Sequence, residues 1–117
     1  MPIQTRYLFS AAMDVEPSKE ALFNEVYDTE HVPLILTVPG VVSASRFKRQ
    51  PVTMIIGGEK KTIVFENEPR YTALYELESP EVLLSPAWAK LVDQGRWPGE
   101  VRPFTKNRRH VMLERIP

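Results

Sequence analysis

Alternation of apolar and polar positions predicts four β-strands in this chain. Side chains two residues apart lie on the same face of a strand, so a strand with one buried face alternates between the two classes. The sequence alternates in this way from Ile3 to Met13, from Val41 to Gln50, from Arg70 to Leu77 and from Thr105 to Ile116. The second face of the first stretch also carries Leu8, which indicates a strand covered on both sides.

A helical period predicts the first helix, from about Pro17 to Glu30. Pro17 is tolerated in the first turn because its missing N–H would have no partner there. Two neighbouring rows with i, i+4 spacing run along this helix: Leu22, Val26 and Glu30 form one row, and Phe23, Tyr27 and His31 form the other. The apolar stripe of the helix therefore ends in a carboxylate, a phenol and an imidazole.

Prolines and a glycine mark the expected end of this helix. Pro33 cannot donate a backbone hydrogen bond, and it disfavours the α conformation of the residue before it. We therefore expect a break near His31, with residues 34–38 forming at most one further turn. The Pro39-Gly40 pair then predicts a turn into the second strand.

The second main helix should run from about Pro86 to Gln94. Ser85 stands where an N-cap residue is expected, and the earlier Ser79-Pro80 pair predicts a short helical turn for the same reason. Gly95 should end the helix. The residues from Arg96 to Pro103 are then expected to form a loop.

The segment from Pro51 to Pro69 allows two interpretations. Two short runs rich in β-branched residues, 52–56 and 62–65, flank the Gly57-Gly58 pair. Such a pattern is typical of a protruding hairpin. A loose loop fits the same residues equally well.

The order strand, helix, strand, strand, helix, strand predicts an α+β fold of the ferredoxin-like βαββαβ type. In this fold a four-stranded antiparallel sheet carries both helices on one face. Its other face stays uncovered, and several strands here have apolar residues on both faces. We therefore expect two copies of the chain to pair through their sheets as a homodimer.

Length, charge and composition exclude several classes of protein. A chain of 117 residues is the size of one domain, predicted to span residues 1–117. Its 15 basic and 15 acidic residues cancel, so no global charge would attract nucleic acid or anionic lipid. No apolar run is long enough to span a membrane, and no signal sequence is visible. We expect a cytoplasmic protein with neither nucleic acid nor membrane as a partner.

The sequence contains few side chains that could form a metal or cofactor site. Cysteine is absent, which excludes thiolate zinc sites and cysteine nucleophiles, and the two histidines are far apart in sequence. No phosphate-binding loop, nucleophile elbow or zinc-protease helix motif occurs. Arg108, Arg109 and His110 alternate between strand faces, so they cannot form one basic patch. The sequence implies no metal and no cofactor.

The richest group of acid and base side chains lies at the end of the first helix. The run Tyr27-Asp28-Thr29-Glu30-His31-Val32-Pro33, followed by Val38-Pro39-Gly40-Val41 and a strand with Arg46, resembles the dimeric α+β barrel superfamily, especially its EthD-like members. The region around Trp88 and from Gly95 to Gly99 is similar to uncharacterised bacterial members of that group. The superfamily includes cofactor-independent cyclases and isomerases, small monooxygenases and haem-degrading proteins, so the resemblance implies a fold more than a reaction.

The resemblance implies that His31 faces a cavity, because a histidine at this helix end does so in EthD-like and polyketide-cyclase-like relatives. An imidazole is suited to proton transfer near neutral pH, but at a helix end it can also serve as a cap. Glu30 is the better candidate to orient this imidazole, whereas Asp28 is expected to be solvated. Tyr27 could donate its phenol to a carbonyl or enolate oxygen, or it could be a core aromatic residue.

Four further residues are candidates for contact with a ligand. Arg46 and His110 would bring a cation and a second imidazole to the cavity if their strand faces point to the helices, and they would lie at a dimer interface otherwise. Trp88 and Trp97 could wall the cavity or cover the core. The leading hypothesis is a cofactor-independent cyclase or isomerase acting on a small apolar or aromatic carbonyl compound. The alternatives are a small monooxygenase, a haem-binding relative, or a non-enzymatic ligand-binding or structural dimer.

Overall fold

The computed structural model describes residues 3–117 and contains two antiparallel β-sheets with helices packed on the larger one. The strands, in chain order, are β1 (Tyr7–Val15), β2 (Val41–Lys48), β3 (Val52–Ile56), β4 (Glu59–Ile63), β5 (Tyr71–Leu77) and β6 (Thr105–Glu114). The four-stranded sheet has the order β2-β5-β1-β6, and β3 pairs with β4 in the second sheet. This confirms the predicted ferredoxin-like α+β arrangement.

The first strand starts four residues later than the alternation predicted. Residues 4 and 5 are held outside the strand ladder because the backbone N–H groups of Gln4 and Thr5 donate to the carboxylate of Glu76, at 2.6 and 3.2 Å. The side chain of Ser43 donates to the same carboxylate at 2.6 Å. A buried side chain on β5 therefore replaces the strand hydrogen bonds that Ile3 to Arg6 were expected to make.

The first helical segment continues through the proline that was expected to break it. A 3-10 turn (Pro17–Lys19) leads into α1 (Glu20–Val26), a π-helical turn (Tyr27–His31) and α2 (Val32–Ile35). In the π turn the N–H of Val32 donates to the carbonyl of Tyr27, five residues back. This shift lets α2 begin anew, so that Pro33 lies in a first turn, where proline has no backbone bond to lose.

The second helical segment is shorter than predicted, and the segment after it is not a loop. A 3-10 turn (Pro80–Leu84) precedes α3 (Pro86–Leu91), whose N–H at Trp88 donates to the Ser85 side chain at 3.1 Å. The chain then forms a second π turn (Trp97–Val101) and a 3-10 turn (Arg102–Phe104). The loop prediction for residues 96–103 was wrong because the i−5 bonding of a π turn has no simple sequence period.

The segment from 51 to 69 contains a hairpin, the first of the two interpretations that the sequence allowed. Strands β3 and β4 meet at Gly57 and Gly58, whose φ angles of +59° and +82° are left-handed. Glycine takes that conformation without a steric penalty, which allows the tight turn. Nearly all residues of both strands are exposed, so the hairpin projects from the domain.

The core lies between the four-stranded sheet and the helical segments. One face of β1 and β5 and the inner face of α1 supply its largest buried side chains, among them Phe9, Phe23, Val26, Tyr75 and Leu77. Among residues 3–117, no helix is both long and apolar enough to cross a membrane.

Candidate functional site

A cavity of about 210 Å³ lies between the helical segments and the sheet face formed by β1, β5 and β6. The first π turn, α3 and the second π turn form its upper wall. Its lining residues are Phe9, Ala11, Met13, Tyr27, His31, Tyr75, Leu83, Trp88, Val92, Trp97, Arg102, Arg108 and His110. Since Arg108 and His110 are exposed whereas His31, Tyr27 and Trp97 are buried, the cavity opens at the β6 side and is closed beneath the π turns.

His31 is at the closed end of the cavity. It is the last residue of the first π turn, and only 5% of its surface is exposed. Its ring stacks on Trp97 with 4.4 Å between ring centroids and meets Tyr27 edge-on at 5.2 Å. Its Nδ1 atom is buried and has no hydrogen-bond partner among the described residues. A buried polar atom without a partner is rare, and here it belongs to a cavity-lining group.

Burial, together with a smaller effect of the positive charge of nearby Arg102, lowers the pKa of His31 from 6.5 to about 4, and the negative charge of Asp93 partly opposes this shift. The imidazole is therefore neutral at pH 7. A neutral imidazole has one nitrogen with a free lone pair, which can accept a hydrogen bond or a proton.

Two phenols lie next to this imidazole. The hydroxyl of Tyr75 donates to that of Tyr27 at 3.4 Å, and both residues line the cavity. Burial raises the pKa of both hydroxyls, so both remain protonated at neutral pH. The pair can therefore present an O–H donor to a ligand oxygen.

Both tryptophans line the cavity and also pack on the core, so both alternatives from the sequence describe them. Trp97, the first residue of the second π turn, is buried against His31 and Tyr27. Trp88 is half-buried and lies edge-on to Phe9 and Tyr75, each at 6.2 Å between centroids. Flat aromatic surfaces on several sides favour a planar ligand.

The structure does not place Glu30 on His31, so the expectation that it orients the imidazole was wrong. Its carboxylate accepts hydrogen bonds from the backbone N–H of Arg96 at 2.9 Å and from that residue's Nε at 2.5 Å. These bonds lower the pKa of Glu30. The row ending at Glu30 turns away from the cavity because the π turn shifts the helical register before the row ends. Glu30 therefore links the two π turns and is not a lining residue.

Arg46 faces the helices but lies outside the cavity. Its guanidinium donates to Asp28 at 2.7 Å and to Asn24 at 2.8 Å, and it lies 4.4 Å from the centroid of the Tyr27 ring. These residues border a separate groove on the far side of Tyr27. Asp28 is exposed, as expected, but it is also paired with this arginine. The cation expected from Arg46 is thus absent from the His31 cavity.

Strand β6 supplies the cavity's open side. His110 stacks on Phe9 with 5.8 Å between centroids and an angle of 10°, and partial burial lowers its pKa, with a smaller contribution from Arg108. Arg102 and Arg108 also line the cavity, and neither was predicted to do so. Strand alternation places Arg108 on the same face as His110, so the sequence does contain a signal for Arg108.

The fold resembles known structures, although the sequence matches no family model and none of the curated proteins. The haem degrader MhuD from Mycobacterium tuberculosis, solved with two haems in its active site, superposes with a TM-score of 0.60 at 14% identity over 95% of this chain and 96% of that one. A variant of MhuD with two manganese protoporphyrins per active site gives 0.57 at 16% identity over 95% of each chain.

An ethyl tert-butyl ether degradation (EthD) family protein from Bacillus halodurans superposes with a TM-score of 0.57 at 14% identity, over 94% of this chain and 99% of that one. At such low identity the likeness establishes a shared fold and no shared activity. Nearly the whole of each chain is covered, so the likeness is not confined to one motif. The chain has the ferredoxin-like α+β fold that these structures share.

Proposed function

We propose that the cavity binds a small planar carbonyl compound with an apolar or aromatic body, and that His31 transfers a proton within it. The observation that carries this proposal is a buried, neutral imidazole with an unpartnered ring nitrogen, placed in a cavity with aromatic walls. A helix cap would use the imidazole to bond backbone carbonyls, and His31 makes no such bond among residues 3–117.

Cavity size and lining limit the ligand. Drug-sized ligands occupy pockets of about 300–1,000 Å³, so a cavity of about 210 Å³ suits a compound with one or two small rings. The ring would stack between the aromatic walls formed by Trp97, Trp88 and Phe9. The carbonyl oxygen would then accept a hydrogen bond from the Tyr27 and Tyr75 pair.

The proton transfer follows from these positions. His31 accepts a proton from the carbon next to the carbonyl group, and the electron pair of the broken C–H bond moves to form an enolate. The enolate oxygen accepts a hydrogen bond from a tyrosine hydroxyl, which stabilises the developing charge. His31 then returns the proton to the same carbon or to a conjugated one, which exchanges or isomerises the compound. Because burial disfavours the imidazolium, it gives up the proton readily.

Haem binding is a second candidate, favoured by the haem and porphyrin ligands of two structural neighbours. His31 and His110 each have a ring that could ligate iron. The macrocycle is nevertheless larger than the cavity of about 210 Å³, so haem does not fit the cavity as the side chains stand. A Soret band that shifts on addition of haemin would support this candidate, whereas proton transfer predicts no such shift.

Deuterium exchange into phenylacetone tests the proposed reaction. The protein is incubated with this ketone in D₂O, and loss of the proton signals next to the carbonyl is followed by NMR. The wild type should accelerate exchange, with a rate that is constant above pH 5 and falls through about pH 4 as the imidazole gains a proton. His31→Gln should abolish the acceleration.

Thr29→Ala is the matched control, because it changes an exposed residue of the same π turn that does not line the cavity, and it should leave the exchange rate unchanged. Circular dichroism and melting temperature show whether each variant folds, and His31→Phe gives a second test if the glutamine variant is unstable. Full activity in a folded His31 variant, or no acceleration by the wild type, would refute the catalytic role.

We also propose that the protein acts as a homodimer that pairs through the sheet face opposite the helices. On that face Phe47, Val111 and Leu113 are 49%, 46% and 50% exposed. Leu8 lies opposite Leu113 on the neighbouring strand and extends the same apolar surface. Exposed apolar side chains on one sheet face of a small domain are typical of an interface.

A further inference from the structure

We propose that Arg108 makes the cavity selective for a ligand that carries a negative charge, such as an aromatic carboxylate or a stabilised enolate. This inference rests on the proposed ligand-binding function of the same cavity and adds the charge of its ligand.

Arg108 differs from the other arginines in the described residues because nothing neutralises it. No carboxylate or carbonyl group within residues 3–117 accepts a hydrogen bond from its guanidinium. The others pair as follows: Arg6 with Glu114, Arg46 with Asp28, Arg49 with the carbonyls of Phe65 and Glu68, Arg70 with Glu20, Arg96 with Glu25 and Glu30, Arg102 with Asp93, Arg109 with Glu68, and Arg115 with the carbonyl of Ile3.

The surroundings of the cavity do not balance this charge. No Asp or Glu is among its lining residues, and His31 is neutral at pH 7. The second lining cation, Arg102, forms an ion pair with Asp93 at 2.5 Å, so its charge is already compensated. An anionic group bound in the cavity would therefore meet one uncompensated cation and no repelling carboxylate.

Arg108 lies at the mouth of the cavity, next to a β-bulge. Between the pairs Ala12↔Arg109 and Asp14↔Lys106 the register of β6 shifts by one residue, so Asn107 and Arg108 together lie opposite one residue of β1. Asn107 has a left-handed φ of +52°, and its side chain donates to Asp14 at 3.1 Å. Such bulges redirect individual side chains beside binding sites. The local backbone is thus fixed by its own hydrogen bonds, independently of the guanidinium.

The positions of the aromatic walls and of Arg108 determine how the ligand would be oriented in the cavity. Its ring would lie against the aromatic walls at the closed end, and its charged group would point to the open side, where Arg108 lines the cavity. A guanidinium can donate two parallel hydrogen bonds to a carboxylate, which a neutral amide of the same shape cannot match. The structure therefore favours an acid over its amide.

A matched pair of probes, 4-fluorobenzoate and 4-fluorobenzamide, tests this selectivity by ligand-observed ¹⁹F NMR titration to millimolar concentration. The wild type should bind the carboxylate about tenfold more tightly, which corresponds to about 1.4 kcal/mol, because a hydrogen bond to a charged group is stronger than one to a neutral group. Arg108→Gln should remove the preference, and Arg108→Lys should restore part of it. Arg109→Gln removes the same charge from the opposite strand face and should keep the preference.

The possible outcomes separate this inference from the proposed function. Equal affinity of the wild type for both probes, or a preference that persists in folded Arg108→Gln, overturns the inference while leaving aromatic binding intact. Binding of neither probe overturns both. Loss of the preference in the Arg109 variant would show that the effect is one of net charge, which also overturns the role of Arg108.

Discussion

Acidification should destabilise this protein more than it destabilises a variant without the buried imidazole. His31 is 5% exposed in the folded state and has a pKa of about 4 there, compared with 6.5 when the chain is unfolded. Below pH 6.5 the unfolded chain binds a proton that the folded protein excludes. The stability that the neutral imidazole contributes is therefore complete above pH 6.5 and is lost as the pH falls from 6.5 through about 4.

The size of this effect follows from the two pKa values. Each unit of difference corresponds to 1.36 kcal/mol, so the fall from 6.5 to about 4 is equivalent to about 3 kcal/mol of unfolding free energy. This is a large fraction of the roughly 5–15 kcal/mol that stabilises a typical domain. Half of the loss should therefore already be visible between pH 6.5 and pH 5.

Urea denaturation at a series of pH values between 7 and 4 measures the effect. The free energy of unfolding of the wild type should fall by about 3 kcal/mol more than that of His31→Gln, which has no titrating group at this position. Other acid-sensitive groups, such as Glu76, are common to both proteins and cancel in the comparison. Because the chain has two histidines, NMR titration of their ring protons can follow His31 directly.

Two results would refute the reasoning. Parallel loss of stability in the wild type and in His31→Gln would show that the imidazole is not held neutral by burial. A titration midpoint of His31 near 6.5 would show the same by a second route. Either result would also remove the physical basis for a neutral base in the cavity.

Two further predictions remain. One concerns Gly95, in the turn before the second π turn, and the other concerns the sheet face opposite the helices. Gly95→Ala should lower stability by about 1–2 kcal/mol or more, since its φ is +73° and a Cβ would lie 2.6 Å from a carboxylate oxygen of Glu30. Gly57→Ala, with φ +59° and open space around it, isolates the backbone cost and should be milder in thermal melts. Val111→Glu should convert the proposed homodimer to a monomer in light scattering after gel filtration; a wild type that is already monomeric would exclude the dimer.

The strands were more predictable from the sequence than the helices were. Alternation located all four strands of the main sheet within a few residues, because burial of one face imposes a period of two. Alternation placed the start of β1 too early, at Ile3, because the backbone N–H groups of Gln4 and Thr5 donate to the carboxylate of Glu76. Such a contact joins residues more than 70 positions apart, and no local pattern reports it.

The sequence predicted some of the residues that line the cavity and little of the geometry among them. In the row of Phe23, Tyr27 and His31 all three side chains are buried on one face, and the last two line the cavity, because i, i+4 spacing keeps them on that face. The neighbouring row of Leu22, Val26 and Glu30 wrongly predicted that Glu30 lies beside His31, because the π turn changes the helical register within this row. The two arginines differ in their ion pairs, which the sequence does not predict. Arg46 pairs with Asp28, whereas Arg108 has no such partner within residues 3–117.

Because His31 is the last residue of a π turn, the direction of its side chain depends on the number of residues in that turn. A π turn holds one residue more than the α-helical turn it replaces, so it is equivalent to a single-residue insertion. Deletion of an exposed residue such as Thr29 would restore regular α-helix and change the direction of His31 relative to Tyr27, because the two residues would then be three positions apart instead of four. In related chains, the presence of this extra residue would therefore be a better guide to a shared site than the presence of a histidine alone.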